Sequence, residues 1–162
     1  MTLVTPLRDD WWPLLWLLVH EDPQANLDDD APATLGAFVD EMSNRQEFLL
    51  ERIWGVLDDD GTPVGVIAFR PLTRRVGAFH GICFTKDVHG TGLPRQAVQA
   101  VIEILVMDGY VKIQAGFFAH NRRVARFLAH LGFKDEGYLR AQTTQGGRPV
   151  DMILMAYLAP GV

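Results

Sequence analysis

Cysteine is nearly absent from this chain: Cys83 stands alone among 162 residues. An intramolecular disulfide is therefore excluded, and the composition suits a reducing compartment such as the cytoplasm. Cys83 itself reads either as a small buried strand residue or as a reactive thiol. Long apolar runs are missing too. The run from Trp11 to Val19 contains Pro13 and falls well short of the roughly 20 residues a membrane-crossing helix needs. No basic leader with a small-residue cleavage site is visible, so no secretory signal is expected. Positive charge is scarce: the net charge of -5 is opposite to the Lys and Arg excess with which proteins grip nucleic acid broadly. A local basic patch at Arg122, Arg123 and Arg126 is still compatible with that balance. No internal repeat or interdomain linker shows, and 48% hydrophobic content is enough for a core. Residues 1–162 are expected to form a single soluble domain.

What is present is organised around Phe84 to Pro94, Phe-Thr-Lys-Asp-Val-His-Gly-Thr-Gly-Leu-Pro. An apolar strand ends there, a Gly-rich turn follows, and a long amphipathic helix begins. The first N–H groups of a helix lack intrahelical acceptors and carry the positive end of its dipole, so phosphate suits that position. Gly90 and Gly92 allow successive N–H groups to converge, and Pro94 reads as the first helical residue. Two familiar phosphate loops do not fit. The turn closes on Gly92-Leu93-Pro94 where a P-loop needs Gly-Lys-Ser/Thr, and Arg95 stands where a dinucleotide fingerprint needs its third Gly.

In chain order, Thr2 to Leu7 reads as a strand, and Asp9 or Asp10 is positioned to cap a helix from about Trp11 to His20. Trp12 and Trp16 share a face, either as core or as walls of a pocket. Glu21 to Ala33, with Asp28, Asp29 and Asp30 in a row, reads as a loop. Thr34 opens a helix to about Arg52. Ile53 to Leu57 and Val64 to Phe69 read as strands joined at Asp60-Gly61, which assigns Asp58, Asp59 and Asp60 to a turn and not to a metal site. A third strand runs from about Arg75 to Thr85. The helix after the Gly-rich turn ends near Asp108-Gly109, and Val111 to Phe118 forms a further strand, so the intervening helix is a crossover between parallel strands. Asn121 caps a short helix through Leu131. Lys134 to Thr144 and Arg148 to Leu158 form a hairpin around Gln145-Gly146-Gly147.

This order resembles the GNAT superfamily of N-acetyltransferases over essentially the whole chain. The family's pyrophosphate pattern, Q/R-x-x-G-x-G/A, falls on His89 to Pro94, where Gly92 meets it and His89 and Pro94 depart from it. Asn121-x-x-Val124-x-x-Phe127-Leu128-x-x-Leu131-Gly132-Phe133 looks like the family's fourth helix and the Gly-Phe after it. The tail, Glu136-Gly137-Tyr138-Leu139-Arg140 with Gly147-Arg148-x-x-Asp151, is similar to the branch that acetylates the N-termini of ribosomal proteins and to relatives acting on other amines.

The resemblance implies an α/β fold with a mixed sheet splayed at two parallel strands, about four flanking helices, and acetyl-CoA as co-substrate with no metal. It implies that His89, Gly90, Thr91, Gly92, Leu93 and Pro94 hold the pyrophosphate, with backbone groups of Cys83, Phe84 and Thr85 along the pantetheine arm and Asn121 and Arg123 beside it. An alkyl ammonium with pKa near 10.4 costs roughly 4 to 5 kcal/mol to deprotonate at pH 7, and an α-ammonium near 7.7 to 8.0 only about 1. A base therefore matters most for the former. His80 is the first candidate, on the face expected to carry Ala78, Ile82 and Phe84; His120 is the second. The family's usual acid, a Tyr, is replaced by Leu128, and the Ser that some members of the branch carry is replaced by Val124, which leaves Tyr138 or water to protonate the leaving thiolate. Trp12, Trp16 and Asp29 are expected at the acceptor site. The acceptor is a protein N-terminus, a small-molecule amine or an aminated nucleobase. The rival reading is a degenerate CoA-binding or interaction module without catalysis, and a homodimer is compatible with either.

Overall fold

The computed structural model describes residues 3–162; Thr2, expected in the opening strand, lies outside them. Seven strands form one sheet: β1 (Leu3–Pro6), β2 (Arg52–Leu57), β3 (Pro63–Pro71), β4 (Val76–Phe84), β5 (Lys112–Phe118), β6 (Lys134–Gln145) and β7 (Arg148–Leu158), in the spatial order β1-β2-β3-β4-β5-β7-β6. All neighbours are antiparallel except β4 and β5. Those two are joined by the helix α4 (Leu93–Met107), as a parallel pair requires. One face of the sheet packs against α4 and α5 (Arg122–His130), with Val98, Val101, Ile102, Leu105 and Leu128 meeting Ile67, Phe69 and Ile113. The other carries α1 (Trp12–His20) and α3 (Leu35–Phe48), where Trp12, Leu15, Leu18 and Phe38 meet Ile53, Val66 and Ala68. A short helix, α2 (Pro23–Asn26), lies between α1 and α3.

Several helix starts and stops follow from local chemistry. Thr34 caps α3 by accepting from the N–H of Ala37, and Asn121 caps α5 by accepting from the N–H of Val124. Neither Asp9 nor Asp10 caps α1. Asp9–Trp11 form a 3₁₀ turn without a side-chain cap, and the Asp10 carboxylate pairs instead with Arg8. The acidic segment expected to be all loop contains α2, because the Asp22 side chain accepts from the N–H of Ala25 ahead of Pro23. Pro94 is the second helical residue of α4, with Leu93 first and Gly92 at the cap. Helix α3 stops at Phe48, short of Arg52: Leu49 and Glu51 both donate their N–H to the Arg45 carbonyl, and Leu50 takes a φ of 53° to turn the chain into β2.

Two irregularities shape the site. First, β4 pairs with β5 only over Val76–Phe79 opposite Lys112–Ala115, so beyond Phe79 the strands diverge and the sheet opens. Second, the β3–β4 register shifts by one residue: Ala68 pairs with Gly81 and Phe69 with Phe79, leaving His80 as the extra residue of a bulge. An extra residue inverts the alternation of faces along the strand. Phe79, Ile82 and Phe84 all pack toward α4, while His80 meets Arg45 and Glu51 on the α3 side. His80 therefore does not share the face of Ile82 and Phe84, as unbroken alternation predicts.

Candidate active site

One continuous cleft of about 960 Å³ passes through the sheet opening. At one end lie His89, Gly90, Gly92, Arg95, Asn121 and Arg123; at the other lie Phe38, Met42, Arg45, Glu51 and His80; Phe84, Gly116 and Phe117 line the passage between them.

The Gly-rich end is shaped as an anion cradle. Gly90 and Gly92 have φ of 78° and 88°, the left-handed region that side chains disfavour. The Thr91 N–H and hydroxyl both go to the Val88 carbonyl, and the Thr91 hydroxyl also accepts from the Leu93 N–H, which locks the turn. No backbone carbonyl among the described residues accepts from the N–H of Gly90 or Gly92. A Cβ built on Gly90 meets nothing, so the concavity above the turn is open. The His89 ring spans the loop, one nitrogen 3.1 Å from the Phe84 carbonyl and the other 3.4 Å from Arg123, whose guanidinium also reaches Asp22 at 3.6 Å. Two N–H groups without a backbone acceptor, a helix N-terminus and a guanidinium fit a pyrophosphate.

In the passage, the three backbone positions differ. The Thr85 N–H donates to the Val64 carbonyl. Alternate residues of an antiparallel strand turn to the same neighbour, so Cys83 also faces β3 and only Phe84 turns its backbone into the opening. The Cys83 thiol is pushed up to about 12 by burial, which leaves it unionised at neutral pH. The Thr85 hydroxyl is buried without a hydrogen-bond partner among the described residues.

The far end holds the charged cluster. His80 retains 32% of its side-chain exposure and lines that half of the cleft. Its pKa is lowered to about 4, first by burial and then by the Arg45 and Arg70 guanidiniums. Glu51 Oε1 lies 3.3 Å from His80 Nδ1 and would raise it were it the only neighbour, but burial and the two cations prevail. Glu51 is 4% exposed and is the one buried charged residue among those described. Burial pushes its carboxyl up, with Arg45 and Arg70 pulling the other way. Arg45 is held in turn by Glu41 one helical turn earlier.

Five expected residues lie elsewhere. Tyr138 is 59% exposed and donates its hydroxyl to Asp151 at 2.6 Å on the terminal hairpin, outside the cleft. His120 stacks on Phe118, and its Nε2 lies 3.1 Å from the Gln24 carbonyl, in a separate shallow groove. Asp29 is absent from the cleft wall, although Asp28 and Asp30 are in it: its carboxylate accepts the N–H of Gly146 and Gly147, which braces the hairpin turn and lowers its pKa. Trp12 and Trp16 are core, both set edge-on to Phe38. Glu51 and Arg45, by contrast, carry no signal in the sequence. Leu49-Leu50-Glu51-Arg52 reads as an ordinary helix end.

A mixed sheet opened between two parallel strands, with a phosphate cradle at the mouth of the opening, defines the class by its fold. A ribosomal-protein-alanine N-acetyltransferase from Brucella melitensis superposes with a TM-score of 0.80 over 97% of this chain and 99% of that one, at 18% identity. A spermidine N-acetyltransferase from Vibrio cholerae, solved with CoA and spermine, gives 0.82 over 97% and 95%, at 17% identity. Residues 11–133 match the acetyltransferase (GNAT) family, and the chain belongs to that family. Over 113 residues it is 31% identical to the ribosomal protein uS5-alanine N-acetyltransferase of Escherichia coli K12 and equally to that of Shigella flexneri. Those alignments cover 66% of this chain and 57% of each relative, little more than half of the relatives' length.

Proposed function

We propose that this chain is an acetyl-CoA-dependent N-acetyltransferase that moves an acetyl group to a primary amine by direct attack. The observation that carries the reading is the single cleft joining the glycine turn at Gly90 and Gly92 to His80 through the opening between β4 and β5. The co-substrate supplies an activated acyl thioester. In this reading Gly90, Gly92 and Arg123 bind its phosphates, Phe84 lends backbone groups to its arm, and His80 is the proton acceptor at the amine. Leu128, 1% exposed, stands where the family's acid is usual, and Tyr138 faces away, so the leaving sulfur takes its proton from solvent.

The amines' own pKa values narrow the acceptor. At neutral pH an α-ammonium gives up its proton at a cost of roughly 1 kcal/mol and an alkyl ammonium at roughly 4 to 5, a gap that does not depend on the base, and a ring lowered to about 4 does little to offset the larger cost. An α-amino acceptor such as a protein N-terminus is therefore favoured over a polyamine, in keeping with the uS5-alanine relatives. Calorimetric titration with acetyl-CoA, with ATP as control and Gly92→Trp as the blocked cradle, tests the first half. Acetyl transfer to an alanine-initiated peptide against spermidine tests the second. The expected outcome is acetyl-CoA binding lost in Gly92→Trp and faster transfer to the peptide. A folded protein that binds no acetyl-CoA would instead favour an interaction module.

A further inference from the structure

His80 Nδ1 is contested. Arg45 Nη1 lies 3.0 Å from it and Glu51 Oε1 3.3 Å. One ring nitrogen cannot serve both: toward a guanidinium it must present a lone pair, and toward a carboxylate it must carry a proton. The structure holds the first state. Arg45 makes the shorter contact, and neither Glu51 oxygen has a hydrogen-bond partner among the described residues. With its Nδ1 lone pair engaged, the neutral ring carries its proton on Nε2, which then cannot accept another.

Arg45 has somewhere to go. Its Nη2 already reaches Glu41, and Nη1 is also 3.8 Å from the Met42 sulfur. Glu51 does not: its side chain is fully buried, its N–H is tied to the Arg45 carbonyl, and it follows Leu50, whose φ of 53° is uncommon outside glycine. A carboxylate held in a fixed, dry position without donors is poised to receive one.

We propose that Glu51 is a positioning residue for His80: when Arg45 withdraws to Glu41, the Glu51 carboxylate accepts Nδ1–H and Nε2 becomes the lone pair that takes the acceptor's proton. The inference rests on His80 as the proton acceptor in the reading above. The proton leaves the ammonium nitrogen for Nε2, and the imidazolium sits between Glu51 and the amine. The freed nitrogen pair forms the C–N bond as the C–S bond breaks; sulfur keeps the bonding pair and takes a proton from solvent, while the new amide nitrogen releases its second proton to solvent and the ring returns its own there. The charged groups around the ring are Glu41 and Arg45 from α3, Glu51 ahead of β2 and Arg70 on β3.

Nitrogen NMR of protein labelled in the histidine rings tests this with no substrate present, so the result is separate from whether any amine is acetylated. His80→Gln assigns the resonance. Wild type is expected to show the Nε2–H tautomer, neutral across the neutral range. Arg45→Gln should move the proton to Nδ1 and raise the ring pKa by about one unit or more, and Arg45→Gln/Glu51→Leu, which leaves no acceptor opposite Nδ1, should return the proton to Nε2 and lower the pKa from the single variant's value. Arg45→Met repeats the test should Gln disturb the helix. An Arg45 variant that keeps the Nε2–H tautomer, or a double variant that keeps the single variant's shift, would overturn the proposal. A purely structural role for Glu51 would alter melting temperature without moving the tautomer.

Discussion

Glu51→Gln is expected to stabilise the protein at neutral pH, by an amount set by the carboxylate's surroundings. Both Glu51 oxygens are buried without hydrogen-bond partners among the described residues, a situation that costs about 1 to 3 kcal/mol for a polar group and more for a charged one. Arg45 and Arg70 return part of this through their fields. Gln has the same shape and no charge. A net gain of about 1 to 3 kcal/mol corresponds to a rise in Tm of about 2 to 12 °C for a chain of this size. The pH dependence follows from the raised carboxyl pKa. Below the unfolded value, 4.5, both states hold the proton and the ionisation penalty vanishes. As pH rises from there through the folded pKa, the unfolded state ionises first and wild type loses stability; above the folded pKa the difference is constant. His80 adds a separate loss as pH falls from 6.5 toward about 4, because the unfolded ring takes a proton that the folded one refuses, and this cancels between the two proteins to the extent that the substitution leaves His80 unmoved. Thermal unfolding of both proteins over a pH series measures the difference. A variant less stable than wild type at neutral pH, with a gap that ignores pH, would mean that Glu51 is satisfied in the folded state and that the argument from its isolation is wrong.

Gly92→Ala should lower Tm by about 2 to 8 °C, because a left-handed backbone costs an L residue about 1 to 2 kcal/mol while a Cβ there meets nothing nearer than Gln96 at 4.0 Å; it should also weaken acetyl-CoA in calorimetry, and wild-type values for both would refute the turn geometry. Asp29→Ala should speed hydrogen exchange at Gly146 and Gly147, whose N–H groups it holds, while transfer rates stay near wild type. Because its folded pKa is depressed, the Asp29 contribution is present above 3.8 and disappears as pH falls through the folded value; equal exchange in the two proteins would sink this assignment. Tyr138→Phe removes only a surface hydrogen bond to Asp151, so kcat should hold, and a large drop would return Tyr138 to the reaction.

The Gly-rich end of the cleft was legible because its chemistry is local. A Gly-x-Gly turn, a Pro within the first two helical residues and an Asn cap each act on neighbours within four residues along the chain, and each appears in the structure close to where the spacing places it. The acceptor end was not legible. Asp29 sits beside two acidic neighbours in sequence, yet its carboxylate is committed to amides more than a hundred residues later. Tyr138 and His120 have the right chemistry, but their hydrogen bonds draw them to Asp151 and Gln24. Trp12 and Trp16 have the area for a pocket wall, but Phe38 covers them.

The sequence alone determined the order of the strands and of the helices other than α2, the parallel pair with its crossover and the Gly-rich turn, since these rest on periodicity, caps and backbone freedom acting between near neighbours. Only the tertiary structure decided which side of the sheet His80 faces and that Glu51 is buried behind it. The bulge at His80 exists in the pairing of β4 with Ala68 and Phe69, and the burial of Glu51 exists in the turn of α3 into β2. Strand pairing and desolvation are properties of what lies across space, and no spacing along the chain encodes them.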